Sequence, residues 1–130
     1  MLSDSPSNGE DRRIDLSTSV VEVGSTPSAI TVVVQGELDM ADADEVGNIL
    51  AESAGAGRPT LRVDLSGLTF ADSSAVKALL TGAKAADEHG ITYQLVNPHG
   101  SVQRLLTVTG LREALTVIDE PRDHDGPDSA

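Results

Sequence analysis

The chain has no cysteine and no tryptophan, and its only aromatics are Phe70 and Tyr93. Without cysteine, disulfides, thiol redox chemistry and Cys-based zinc sites are excluded. With two aromatic rings in 130 residues, the core must come from Val, Leu, Ile and Ala, which suits a sheet covered by Ala-rich helices. No apolar run is long enough to span a bilayer, and no basic-then-apolar leader reads as a secretory signal, so a cytoplasmic protein without membrane contact is expected. Cations are also scarce. Lysine occurs only at positions 77 and 84, and the net charge is -12. Such a surface repels phosphates, which argues against nucleic acid, and suits a partner with a basic face. The abundance of Ala, Gly, Val and Asp beside so little Lys points to a GC-rich bacterial genome.

What is present is one domain's worth of patterned sequence. Residues 1–13 are rich in Ser, Pro and charge and read as an unstructured leader. Residues 119–130 read as an acidic unstructured tail, with Asp119, Glu120, Asp123, Asp125 and Asp128 against Arg122 alone. The folded body is expected over 14–118. Ile14 to Val23 mixes alternation with β-branched residues, a strand or ribbon pattern, and Ile30 to Val34 reads as a buried strand. Ala41 to Ala54 is helical, with Val46, Ile49, Leu50 and Ala54 on one face and Asp42 as a candidate N-cap. Thr60 to Leu65 is the next strand. Ser73 to His89 is the clearest helix, its expected inner stripe being Val76, Leu79, Leu80 and Ala83. A strand over 91–96, a short helix capped by Ser101 and ended by Gly110, and a last strand over 115–118 complete the order β-β-α-β-α-β-α-β. Strands alternating with helices imply a single α/β domain with a mostly parallel sheet and an antiparallel ribbon at one edge.

Chemistry concentrates at two strand-to-helix junctions. Ser73 stands at a helix start, where free N–H groups and the helix dipole favour an anion such as a phosphate on that serine. Asp72 beside it would repel that phosphate, and on spacing alone Asp72 or Ser73 is simply the helix cap. Glu37 and Asp39 leave a strand at the same rim of a parallel sheet, where α/β folds usually place sites. They suit metal binding, acid–base work or plain turn chemistry. Enzymatic readings lack support. Ser73 and His89 lie about 24 Å apart along one helix at 1.5 Å per residue. There is no Gly-x-Ser-x-Gly elbow and no phosphate loop, and the three histidines are scattered. No enzyme activity, cofactor or metal is expected.

Three segments taken together resemble a known family. Gly36-Glu37-Leu38-Asp39, Val63 to Ser74 (VDLSGLTFADSS), and Val102-x-Arg104-Leu105 with Thr109-Gly110-Leu111 resemble STAS domains, most closely the bacterial anti-sigma factor antagonists. The resemblance implies a sheet of four or five strands covered by three or more helices. It implies that Ser73, directly after the Asp, is the phosphoacceptor. The kinase would be the anti-sigma factor itself, a GHKL-type serine kinase carrying its own ATP, with a PP2C-type phosphatase resetting the switch. Unphosphorylated, the chain would bind the anti-sigma factor and free a sigma factor. Glu37, Asp39, Asp72, Ser74 and Ala75 would contact the partner, with Asp39 and Asp72 contacting it or supporting phosphorylation. STAS-like domains also serve as unphosphorylated scaffold subunits of stress-signalling or lipid-transport complexes, which is the alternative. The chain departs from the family at Ala75, where Gly is frequent, and at Asp42, where Thr, Ser or Asn is frequent.

Overall fold

The computed structural model describes residues 11–120. Most of the expected leader and tail lie outside the described residues. Among the described residues, strands β1 (Arg12–Asp15), β2 (Ser19–Ser25), β3 (Ile30–Leu38), β4 (Thr60–Asp64), β5 (Leu68–Ala71), β6 (Thr92–Val96) and β7 (Thr116–Ile118) form one sheet. Helices α1 (Ala43–Ala54), α2 (Ser73–Glu88), α3 (Gly100–Thr109) and the single turn α4 (Leu111–Ala114) complete the domain. The strand order is β1-β2-β3-β4-β6-β7, with β5 beside β3. β1, β2 and β3 are antiparallel neighbours, and every other pairing is parallel. The mixed α/β architecture is the expected one. The sheet has seven strands where four or five were expected, because the ribbon holds two separate strands and β5 and β7 are short additions.

Alternation explains the layering. In β2 and β3, Val21, Val23, Ile30, Val32 and Val34 are buried while their neighbours are half-exposed, so one face of the sheet carries the core and the other remains open. α1 presents Val46, Ile49, Leu50 and Ala54 to that core, as its periodicity predicts. α2 is rotated from expectation. Its buried residues are Ala75, Ala78, Leu79, Gly82, Ala85 and Ala86, and Leu80 is 44 % exposed. The reason is the close seam between α1 and α2, the most extensive helix–helix contact in the fold. Small side chains let the two backbones approach, so the inner stripe follows size rather than hydrophobicity. At the seam Tyr93 reaches from β6 and donates its hydroxyl to the Leu79 carbonyl at 2.7 Å. Burial pushes the phenol's pKa well above its ordinary value.

The start of α3 and the two ends of the folded body differ from expectation. α3 starts at Gly100 with His99 in the N-cap position, and Ser101 instead donates its hydroxyl to the Thr69 carbonyl at 3.3 Å, tying α3 to β5. β1 starts at Arg12, inside the expected leader. Arg13 there meets Asp15 at 3.2 Å and Glu22 on β2 at 3.4 Å. At the other end, the first acidic residues of the expected tail are held. Glu120 meets Arg62 at 2.7 Å, and its N–H donates to Asn97 Oδ1 at 2.6 Å.

Candidate functional site

β3 is longer than its partner β4 and is continued by a second neighbour. Ile30 to Val33 pair with β4, after which the chain turns at Ser66-Gly67 and β5 takes over, pairing Gly36 with Leu68 and Leu38 with Ala71. The register shifts between Gly36 and Glu37, where Gly36 adopts φ +91. A Cβ at Gly36 would lie 2.7 Å from the Thr18 carbonyl, so only glycine fits this corner. The Asp72 N–H then donates to the Leu38 carbonyl at 3.3 Å. That bond sets the Glu37–Asp39 corner against the start of α2 and brings the two predicted junctions to one rim.

At the start of α2, Asp72 is the cap. It lies in extended backbone, and its Oδ1 accepts the Ser74 N–H at 2.8 Å. Ser73 is therefore the first helical residue, exposed, and among the described residues its hydroxyl has no hydrogen-bond partner. The geometry thus separates the roles that spacing left open, with Asp72 as the cap and Ser73 as the free hydroxyl. Ser74 is half-buried and borders a cleft of about 530 Å³ between α1 and α2 whose other walls include Met40, Asp44, Asn48, Lys77 and Thr81. Ala75 does not belong to the exposed rim. It is fully buried, on the same inward stripe as Ala78 and Leu79, and so it offers no side-chain surface to a partner.

Glu37 is exposed. Asp39 is half-buried and closes an Asx turn into α1, its Oδ1 accepting the Ala41 N–H at 3.0 Å. Its backbone carbonyl accepts the N–H groups of Asp42 and Ala43 at 3.1 and 3.0 Å. Asp42 occupies the N-cap position of α1, but its side chain makes no capping bond. It turns away to the β1–β2 turn and is 2 % exposed. Burial alone would raise its pKa, but hydrogen bonds from Ser19, Thr18 and Ser17 outweigh burial and hold the carboxyl below its ordinary value of 3.8. Sequence reading missed this role because the partners lie 23 to 25 residues upstream.

The two described histidines have other places in the fold. His99 Nε2 lies 2.8 Å from the Ser66 carbonyl, and His89 ends α2 at its far terminus. Among the described residues no group of three or more His, Asp or Glu is placed to hold a metal ion, and no helix is long and apolar enough to cross a membrane.

A family model described as "Mlab, STAS domain" matches residues 21–118, three quarters of the chain. The chain belongs to the STAS domain family. Solved STAS folds superpose on it over most of its length. An anti-sigma factor antagonist from Mycobacterium paratuberculosis is 21% identical with a TM-score of 0.71, covering 86% of this chain and 93% of that one. The Bacillus cell-fate determinant SpoIIAA in its phosphorylated form is 18% identical at 0.63, covering 85% and 99%. SpoIIAA in its unphosphorylated form is 18% identical at 0.62, covering 84% and 96%. At these identities the likeness is one of fold. No curated protein matches the sequence. Within this STAS domain the Asp72-Ser73-Ser74 step crowns α2 on the rim formed by the ends of β3 and β5.

Proposed function

We propose that this STAS domain is an anti-sigma factor antagonist. In its unphosphorylated state it binds an anti-sigma factor that is also a GHKL-type serine kinase, and phosphorylation at Ser73 switches it off. The observation that carries the reading is the division of labour at α2. Asp72 satisfies the Ser74 N–H, and the Ser73 hydroxyl is exposed and, among the described residues, unbonded on the first helical turn. Fold likeness to SpoIIAA, which is known in phosphorylated and unphosphorylated forms, supports it.

In this reading Ser73 Oγ attacks the γ-phosphorus of ATP bound to the kinase. ADP leaves, and a base on the kinase takes the hydroxyl proton. The product carries roughly -1.5 to -2 extra charge at neutral pH, set beside Asp72 and near Glu37 and Asp39. Burying that charge unpaired in a close interface is costly, so the partner is released without any large rearrangement of this domain. A PP2C-type phosphatase restores the hydroxyl.

The test is incubation of the purified chain with each GHKL-type kinase of the source genome and Mg-ATP, followed by peptide mass spectrometry. One phosphoryl group on Ser73, abolished in Ser73→Ala, is expected. Label retained in Ser73→Ala or found on Ser74 would overturn the assignment.

The "Mlab" description of the matching family favours a second reading, in which the domain is an unphosphorylated scaffold subunit of a lipid-transport complex. Co-purification with a transporter ATPase, and no labelling by any of those kinases, would establish it in place of the first.

A further inference from the structure

Among the described residues, the donors that hold the buried Asp42 carboxylate are all neutral. Its Oδ1 accepts the Ser17 N–H at 3.0 Å. Its Oδ2 accepts the Thr18 N–H at 2.8 Å and the Ser19 hydroxyl at 2.6 Å, and the Thr18 hydroxyl oxygen lies 3.2 Å away. The turn so gripped returns to the rim. The Thr18 carbonyl accepts the Glu37 N–H at 2.9 Å, and the Thr18 hydroxyl lies 2.9 Å from the Glu37 carbonyl and 3.4 Å from Asp39 Oδ1. Asp42 is thus connected through Thr18 to both acidic residues of the β3–α1 corner.

We propose that Asp42 is a positioning residue for the rim. By anchoring the β1–β2 turn it sets the Glu37–Asp39 segment beside Asp72 and Ser73, and it makes the exposed Ser17 and Thr18 part of the surface that a partner meets. The proposal rests on the reading of this rim as partner-facing.

The residue type fits this role better than capping. A threonine or serine at position 42 would offer one short-reaching oxygen, enough to cap α1. Aspartate offers two oxygens and reaches the Ser17 and Thr18 amides and the Ser19 hydroxyl together. Bonds to a charged acceptor are roughly twice as strong as neutral ones. The buried Ser19 hydroxyl would be left unsatisfied without the carboxylate. The grip therefore fixes one geometry of the corner, where a plain cap would leave the turn tied to the rim by the contacts of Thr18 with Glu37 and Asp39 and by the β2–β3 ladder.

The test compares Asp42→Asn and Ser19→Ala with Tyr93→Phe, a control that removes one hydrogen bond at the α1–α2 seam. Amide hydrogen exchange by NMR reads the geometry. Asp42→Asn is expected to speed exchange at Ser17, Thr18 and Glu37 by about tenfold or more, as for the loss of one hydrogen bond. Ser19→Ala should give a smaller change in the same residues, and Tyr93→Phe none. Steady-state phosphorylation of Ser73 by the kinase found above reads the consequence. Asp42→Asn should raise KM for this protein while kcat is retained, and Tyr93→Phe should move neither. Unchanged Glu37 exchange in both Asp42→Asn and Ser19→Ala, or a loosened Glu37 with unchanged KM, overturns the proposal. If wild-type Ser73 takes no label from any kinase, the functional reading fails instead, and the exchange data still decide whether Asp42 places Glu37 and Asp39.

Discussion

Replacing Gly82 by alanine sets two effects of known size against each other. Gly82 lies within α2, where alanine gains about 1 kcal/mol in helix propensity. The added Cβ, however, would stand 2.7 Å from the Tyr93 hydroxyl oxygen, 3.0 Å from Leu50 Cβ and 3.1 Å from Tyr93 Cε1. Neither neighbour is free to yield. Leu50 is fully buried, and the Tyr93 hydroxyl is bonded to the Leu79 carbonyl. Overpacking a tight core costs about 1–3 kcal/mol, and displacing the tyrosine hydrogen bond adds about 1 kcal/mol. The net expectation is a destabilisation of about 1–3 kcal/mol, against the sign that propensity alone gives. Urea unfolding followed by circular dichroism should show a lower midpoint with an unchanged m-value. In the Tyr93→Phe background the same substitution should cost less, because the 2.7 Å contact is gone while the Leu50 contact remains. A Gly82→Ala protein more stable than wild type, or a strictly additive double mutant, would refute the seam as described.

Further outcomes follow from individual side chains. Asp72→Ala removes the α2 cap bond and should cost about 1 kcal/mol in urea unfolding; no loss would mean that another group caps the helix. Leu79→Ala should cost about 2–5 kcal/mol, whereas Leu80→Gln, at a 44 % exposed position, should stay within about 0.5 kcal/mol; comparable losses would restore the stripe that hydrophobicity alone suggests. The pKa of Asp42 is lowered in the fold, so its contribution to stability is present above its ordinary value of 3.8 and is lost as pH falls through the lower folded value. The stability gap between wild type and Asp42→Asn should therefore narrow as pH drops below 3.8, measured by urea unfolding across a pH series.

Local features of the sequence were the most legible. The alternation in β2 and β3, the inner face of α1, and a cap at Asp72 or Ser73 all depend on residues within one or two turns of each other. β5 was hidden because only Leu68 of its four residues is buried and its pairing depends on a register shift at Gly36, neither of which leaves a periodic signal. The α2 stripe was misread because large apolar residues dominate any hydrophobicity pattern, while the contact with α1 selects Ala and Gly. Ala75 is a partner contact only by the family resemblance, and helix rotation turns its side chain inward. Asp42 looked like an ordinary cap because nothing near it in the chain names Ser17, Thr18 and Ser19 as its partners. The placement of Glu37 and Asp39 beside Asp72 was foreseen from parallel topology, and the structure supplies the hydrogen bond that fixes it.

Tyr93 also makes the domain its own optical gauge. It is the sole tyrosine, and there is no tryptophan, so near-ultraviolet absorbance and emission report one ring wedged between β6 and α2. Its phenol resists ionisation while the seam is closed. In alkaline solution the tyrosinate band is expected to lag in the folded chain and to rise as the helices separate, giving a label-free record of opening at the α1–α2 seam.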